Sequence, residues 1–252
     1  MKMIFTIASH EFKTLFLSPL AWTVLAILQC ILAYLFLTQV ETFALIQPKL
    51  ATIEGAPGLT DIVVTPLYGN AGIILLLVTP LLTMRLISEE RRNKTLSLLL
   101  SAPISNVDII IGKYLGILGL LLIIVFLITL MPLSLLMGGE LDSGKLFANL
   151  LALLLLVTAF TSTGLFMSTV SDHPTIAAMG TFGILLLLWI LDWTTSMHDQ
   201  RSELFEYLSI LRHFQNIQSG LISSVDISYF LLFTAVFILL SIRSLDNDRL
   251  QK

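Results

Sequence analysis

Six apolar stretches run through this chain, and none carries a charged residue near its middle. A hydrocarbon core of roughly 30 Å asks for about 20 apolar residues per helical crossing. The stretches read as spans over 20–40, 69–86, 107–137, 146–170, 175–193 and 227–242. They are continuously apolar rather than alternating, so they read as helices and not as barrel strands. The third is long enough to tilt or kink. Composition agrees: 56% of residues are hydrophobic and 12% charged, with a mean hydropathy of +0.92. A soluble domain needs more charge than this to cover its surface. The expected fold is all-α, one polytopic membrane domain over 1–252 with six transmembrane helices.

The first apolar run starts late and has no small-x-small site after it, so it reads as a span and not as a cleaved signal peptide. Cys30, the single cysteine, lies inside that span, which excludes an intrachain disulfide. The distribution of Lys and Arg sets the orientation. Lys2, Lys13, Arg85, Arg91, Arg92, Lys94, Lys113, Arg243, Arg249 and Lys252 share one side, and only Lys49, Lys145, Arg201 and Arg212 the other. The positive-inside rule then places both termini in the cytoplasm. A net charge of −3 argues against a nucleic-acid partner.

Three segments are neither span nor simple loop. Residues 1–17 are amphipathic: Ile4, Ile7, Ala8, Phe12, Leu15 and Phe16 share one face, and Lys2, Thr6, Ser9, His10 and Lys13 the other. Such a helix can lie flat in the membrane interface, and Ser18-Pro19 ends it. Residues 85–114 hold the densest charge, with Glu89, Glu90, Arg91, Arg92 and Lys94 followed at once by Leu96, Leu98, Leu99 and Leu100. A leucine cluster in a cytosolic loop needs a cover: lipid headgroups, the rest of the protein, or a partner. Ser105 with Asp108 has capping-box spacing and starts span three. Residues 194–226 are too short and too charged to span. They fit either short helices dipping back toward the membrane or a compact outer cap. Residues 41–68, with Pro48, Gly55, Pro57, Gly58 and Pro66, read as an irregular outer loop. Asp172-His173-Pro174 reads as a tight turn, since no second His or Cys stands at metal-ligand spacing.

Several chemistries are missing. There is no G-x-x-x-x-G-K-S/T loop, so the chain does not bind nucleotide by a P-loop. H-E-x-x-H and G-x-S-x-G are absent, and no ionisable residue sits at depth to serve an intramembrane enzyme. Thr161-Ser162-Thr163 read as hydroxyls bonded to the preceding helical turn. Gly112, Gly116 and Gly119 read as a close-packing stripe. Gln29 and Asn149 each need a partner across a helix interface, and Pro80 and Pro132 predict kinks.

Three stretches carry a family resemblance: SHEFKTLFLSPLAW, TPLLTMRLISEERRNKTLSLLLSAPIS, and YLSILRHFQNIQSGLISSVDISYFLLFTAVFILLSIRSL. With the six spans they cover nearly the whole chain. The pattern resembles the type-2 membrane subunit of ATP-binding-cassette (ABC) transporters, nearest to the permeases associated with gliding motility. The resemblance implies an interfacial elbow helix at the N-terminus, bearing Ile4, Ile7, Phe12, Lys13 and Phe16. It implies a coupling helix over 88–105 that docks into a separate ATPase subunit. There Glu89, Glu90, Arg91, Arg92, Thr95, Leu96 and Leu99 match the family run, while the family's glycine falls at Lys94 and leaves the local bend open. Asp172 and His173 match a second, shorter cytoplasmic contact. Leu204, Tyr207, Leu208, Leu211, Phe214 and Gly220 match re-entrant outer helices.

The resemblance also implies two cytoplasmic ATPase subunits, which bind the ATP and Mg, and a second permease copy or close paralogue. This chain itself would hold no cofactor and catalyse nothing; it would work as an export permease in the bacterial inner membrane, in contact with lipid. The alternatives are a membrane anchor or mechanical transducer of a periplasmic complex, and an intramembrane enzyme.

Overall fold

The computed structural model describes residues 2–50, 57–96, 101, 104–137, 141–197 and 207–250. Among them there is no strand. The helices are α1 (Lys2–Leu17), α2 (Pro19–Leu50), α3 (Thr65–Thr83), α4 (Ser88–Arg92), α5 (Asn106–Ser134), α6 (Ser143–Val170), α7 (Pro174–Met197), α8 (Ile210–Gln218) and α9 (Ser224–Leu250). A π-helical turn, Thr60–Val64, leads into α3, and a 3-10 turn, Leu135–Met137, closes α5. Six helical segments are long and apolar enough to cross a membrane. The all-α polytopic fold read from the sequence is the fold observed.

Burial sorts these helices. In the segments containing α3 and α6, 61% of the most apolar window is buried within the chain, against 22% for α2 and α9. So α3 and α6 form the centre, and α2, α7 and α9 present apolar faces outward, with Tyr34, Met179 and Leu232 among the exposed side chains. The central pair approaches closely because Gly164 of α6 lies against Thr83 of α3. A methyl group at Gly164 would stand 2.1 Å from Thr83 Oγ1. Thr161, Ser162 and Thr163 are fully buried, and each hydroxyl donates to a carbonyl of the preceding turn, at 2.6, 2.8 and 3.1 Å. Their polarity is thus satisfied within α6.

The irregular outer loop expected over 41–68 is largely helical. α2 runs on through Pro48 to Leu50, and the chain is helical again from Thr60. Pro48 lies in the last turn of α2, and Pro66 sits in the first turn of α3, where a missing N–H costs little. Phe43, Leu45 and Ile46 keep the apolar pattern going past Glu41. Span two begins at Thr65 rather than Gly69, and α9 extends from Ser224 to Leu250 beyond the 227–242 expected.

The interface partners expected for the polar membrane residues are present. Gln29 Nε2 donates to Leu127 O on α5 at 3.4 Å. Asn149 Nδ2 faces Lys145 O, Thr65 Oγ1 and Gln218 O, joining α6 to α3 and α8. Ser105 caps α5, its hydroxyl accepting from Asp108 N at 3.0 Å.

Candidate functional site

A cluster of charged residues lies at one end of the bundle, where α3 stops and the N-terminal helix α1, the start of α5, the end of α6 and the C-terminal part of α9 meet. After Thr83 the chain makes a turn over 84–87 and then forms the short α4. Ser168 of α6 holds this break. Its hydroxyl accepts from Ile87 N at 2.9 Å and Ser88 N at 3.1 Å, and donates to Met84 O at 3.2 Å. One buried hydroxyl therefore uses its donor and both lone pairs on backbone that the helix break leaves unpaired.

Two neighbouring residues of α4 then face opposite ways. Glu90 pairs with Lys113 of α5 at 2.9 Å, and Lys113 also pairs with Glu11 of α1. Only 4% of the Lys113 side chain is exposed. An ammonium this dry is tolerable only with compensating charge, which the two carboxylates supply. Arg91 turns the other way. It pairs with Asp248 of α9, donates to Thr169 O at the end of α6 at 2.5 Å, and lies 3.6 Å from Asp172 in the turn before α7. Asn106 Nδ2 donates to Asp246 at 2.5 Å, which ties α5 directly to α9. Through two side chains the five residues of α4 are fastened to α1, α5, α6 and α9.

α4 ends in a Schellman motif: Thr95 N donates to Glu90 O at 2.9 Å and Lys94 N to Arg91 O at 3.1 Å. This places Lys94 in the left-handed region, with φ 59°. The bend is made here with lysine, which bears the Cβ penalty. Lys94→Gly is expected to raise stability by about 1 kcal/mol, read as a higher midpoint of thermal unfolding in detergent; a lower midpoint would contradict it. Glu89, Arg92, Lys94 and Thr95 form an exposed edge, and Leu96 is buried. Asp172 and His173 are exposed on the α6–α7 turn. Leu99 and Leu204 lie outside the described residues.

The amphipathic N-terminal helix is not left to lipid alone. The glycine stripe of α5 receives it: a methyl at Gly112 would stand 2.7 Å from Ile7 Cβ, and one at Gly116 2.6 Å from Glu11 Cβ. Gly119 faces the Phe12 ring. Ile4 joins through its carbonyl, while Lys13 is exposed. Phe16 packs between Phe12 and Trp22, edge-to-face on the latter, and Trp22 Nε1 donates to Phe16 O at 2.8 Å, fixing the corner where α1 turns into α2.

At the opposite end, α8 is capped by Ser209, whose hydroxyl accepts from Arg212 N at 3.3 Å, and is followed by Gly220 at φ 91°. Leu211 and Phe214 are buried against the bundle; Tyr207 and Leu208 are exposed. His213 pairs with Asp226 of α9 at 2.5 Å and stacks on Tyr229 with ring centroids 4.1 Å apart. A cleft of about 310 Å³ opens beside α8, lined by Asn70, Trp189, Gln215 and Gln218, with no charged residue in its wall.

The model of the ABC-2 family transporter proteins matches residues 5–250, nearly the whole chain. The chain belongs to the ABC-2 transporter family. It is therefore the membrane subunit of a transporter and not itself an enzyme, and the family works with ATPase subunits. No curated protein sequence matches it significantly.

Within this ABC-2 subunit, sequence reasoning missed Lys113 and Asp248 as partners of α4, Glu11 as the second partner of Lys113, and Asp246 as the partner of Asn106. The signals were there for two of them. Glu11 lies at helical spacing from Ile4 and Ile7, a carboxylate on the apolar face of α1. Lys113 sits between glycines that bring another helix close, so its charge cannot reach water freely. Asp246 and Asp248 lie in a polar C-terminal stretch that carries no such conflict.

Proposed function

We propose that this chain is the permease half of an ABC exporter, worked from the cytoplasm through α4. In this reading both termini are cytoplasmic, α1 is an interfacial elbow, and two permease chains pair above two ATPase subunits that hold the ATP and Mg. The observation that carries it is the divergence of Glu90 and Arg91. A load on the exposed edge of α4 reaches α1 and α5 through Lys113, and α6 and α9 through Thr169 and Asp248. A short helix fastened this way moves as a lever with the bundle rather than as a loose loop.

Glu89 and Arg92 supply the exposed charge for docking, and Asp172 and His173 a second contact beside it. Substrate would pass at the seam between two copies, along α2, α3 and α7, whose apolar faces suit an amphipathic cargo. The uncharged cleft beside α8 lies on α3 and α7 and would form the outer end of that path. α8 itself, with its apolar face packed inward, fits a re-entrant outer helix.

The test is co-expression with the ATPase subunit. Reversing the exposed charges, with Glu89→Arg and Arg92→Glu together, leaves the Lys113 and Asp248 pairs intact. ATPase co-purification is expected to fall about tenfold. Undiminished capture by a folded variant would contradict docking through α4.

A further inference from the structure

α9 carries a carboxylate contact near each end. At the α8 end Asp226 pairs with His213 at 2.5 Å, and His213 Nε2 donates to Tyr207 O at 3.0 Å. At the α4 end Asp248 pairs with Arg91. About six helical turns, roughly 33 Å, separate the two aspartates, so both project from nearly the same side of α9. All 27 residues of α9 form one helix, with no proline or glycine among them, so it lacks the usual causes of a kink.

A line of rings follows the same side. Tyr229 stacks on His213, and its hydroxyl donates to Leu208 O at 2.9 Å. The Tyr229 and Phe233 centroids lie 6.0 Å apart, those of Phe233 and Phe237 4.7 Å, and Phe237 meets Phe166 of α6 edge-on at 5.6 Å. Phe166 lies one turn before Thr169, whose hydroxyl donates to Phe166 O at 2.6 Å and whose carbonyl accepts from Arg91. Two partners of Arg91, Asp248 and Thr169, thus stand at the base of this stack, and His213 stands at its top. α6 also reaches both α4 and α8, through Thr169 and through Asn149 on Gln218 O. It is the poorer transmitter of the two, because most of its apolar window is buried among other helices and most of that of α9 is not. A helix locked on several sides cannot slide without repacking the core, whereas a peripheral one shifts along few neighbours.

We propose that α9 is a rod that transmits movement of α4 to α8, so that the state of the lever sets how firmly α8 is held at the other end of the bundle. The proposal rests on the reading of α4 as a lever given above, and names the element that carries its stroke across the membrane. Asp248 is the attachment at one end of the rod and Asp226 the attachment at the other.

Amide hydrogen exchange in the purified full-length permease, in lipid nanodiscs and without ATPase, reads the hold on α8, because exchange follows the population of the opened helix. Asp248→Ala cuts the pair at the α4 end and leaves the α8 end untouched. It is expected to speed exchange across α8 about fivefold, including the Ser219 and Gly220 amides bonded to Gln215 O and Ile217 O. Arg91→Gln cuts the same pair from the other side and is expected to do the same. The Ile62 and Leu146 amides, in turns tied by the Lys145–Asp61 pair, are expected to keep their rates. Val236→Gly with Leu239→Gly softens α9 at exposed positions without touching either end; in that background Asp248→Ala is expected to leave α8 exchange unchanged. An α8 rate indifferent to both Asp248→Ala and Arg91→Gln, an equal acceleration at Ile62 and Leu146, or a response that survives the two glycines would overturn the proposal. ATPase capture by the wild-type protein is measured in parallel. Capture with no α8 response sinks the rod alone, and an α8 response without capture sinks the docking through α4 alone.

Discussion

Lys113→Met is expected to lower the stability of the protein by about 3 kcal/mol. Methionine keeps the length and apolar character of the lysine stem, so packing against α1 and α4 changes little. What is lost is the one cation between Glu11 and Glu90, leaving two carboxylates close together without compensation. Both are partly shielded from water, with 17% and 30% of their side chains exposed, so solvent recovers only part of the loss. Thermal unfolding in detergent reads the effect directly. The triple change Lys113→Met, Glu11→Met, Glu90→Gln removes the whole charged cluster and is expected to regain most of the stability, because an apolar replacement of a buried ionic group is often neutral. The single and triple variants separate two roles. If the cluster serves the lever, the triple variant is stable yet fails to pass ATPase closure to the bundle, and shows ATP hydrolysis that substrate no longer stimulates. A single variant as stable as wild type would mean that Lys113 is not the tie the geometry indicates.

Gly164→Ala is expected to cost about 2–3 kcal/mol, at the upper part of the usual range for overpacking. The added methyl would fall 2.1 Å from Thr83 Oγ1 and 2.6 Å from Thr83 Cβ. Thr83 is fully buried, and its hydroxyl already donates to Thr79 O at 2.8 Å, so it has no free rotation to yield. The helices must separate, and the Ser168 contacts that hold the break before α4 lie one turn further along the same α6 face. The substitution should therefore loosen α4 as well as lower the unfolding midpoint. Faster hydrogen exchange at the Ile87 and Ser88 amides would report it. Adding Thr83→Ala should return part of the loss. An unchanged midpoint in the single variant would place the central helix pair further apart than the structure has it.

The sequence made the membrane class, the span count and the cap at Ser105 readable, because each depends on local pattern. Continuous apolar runs have few other uses, and a serine three residues before an aspartate competes for its own backbone. The helical ends at 41–50 and 59–68 were not readable by the same logic. There proline and glycine suggested a loop, while packing decided the outcome: Thr60 Oγ1 accepts from Asp142 N at 3.0 Å, and Lys145 pairs with Asp61 at 2.6 Å, tying the π-helical turn to the start of α6. The charged run at 89–94 was visible, but not how its members divide. Which side chain of an exposed-looking run turns inward depends on residues far along the chain, here Lys113, Thr169 and Asp248. The glycine stripe of α5 was correctly read as a packing surface. Its partner, α1, could not be chosen from spacing alone, because a short amphipathic helix suits a lipid interface and a protein groove equally well.

The most direct test of the account is the sidedness of α4. Cys30 is replaced by serine, a single cysteine is placed at Arg92 on the exposed edge, and intact cells and inverted vesicles are treated with a membrane-impermeant thiol reagent. The account predicts labelling in inverted vesicles and none in intact cells. Labelling in intact cells would put α4 beyond the reach of any cytoplasmic ATPase, and the proposed lever would be excluded.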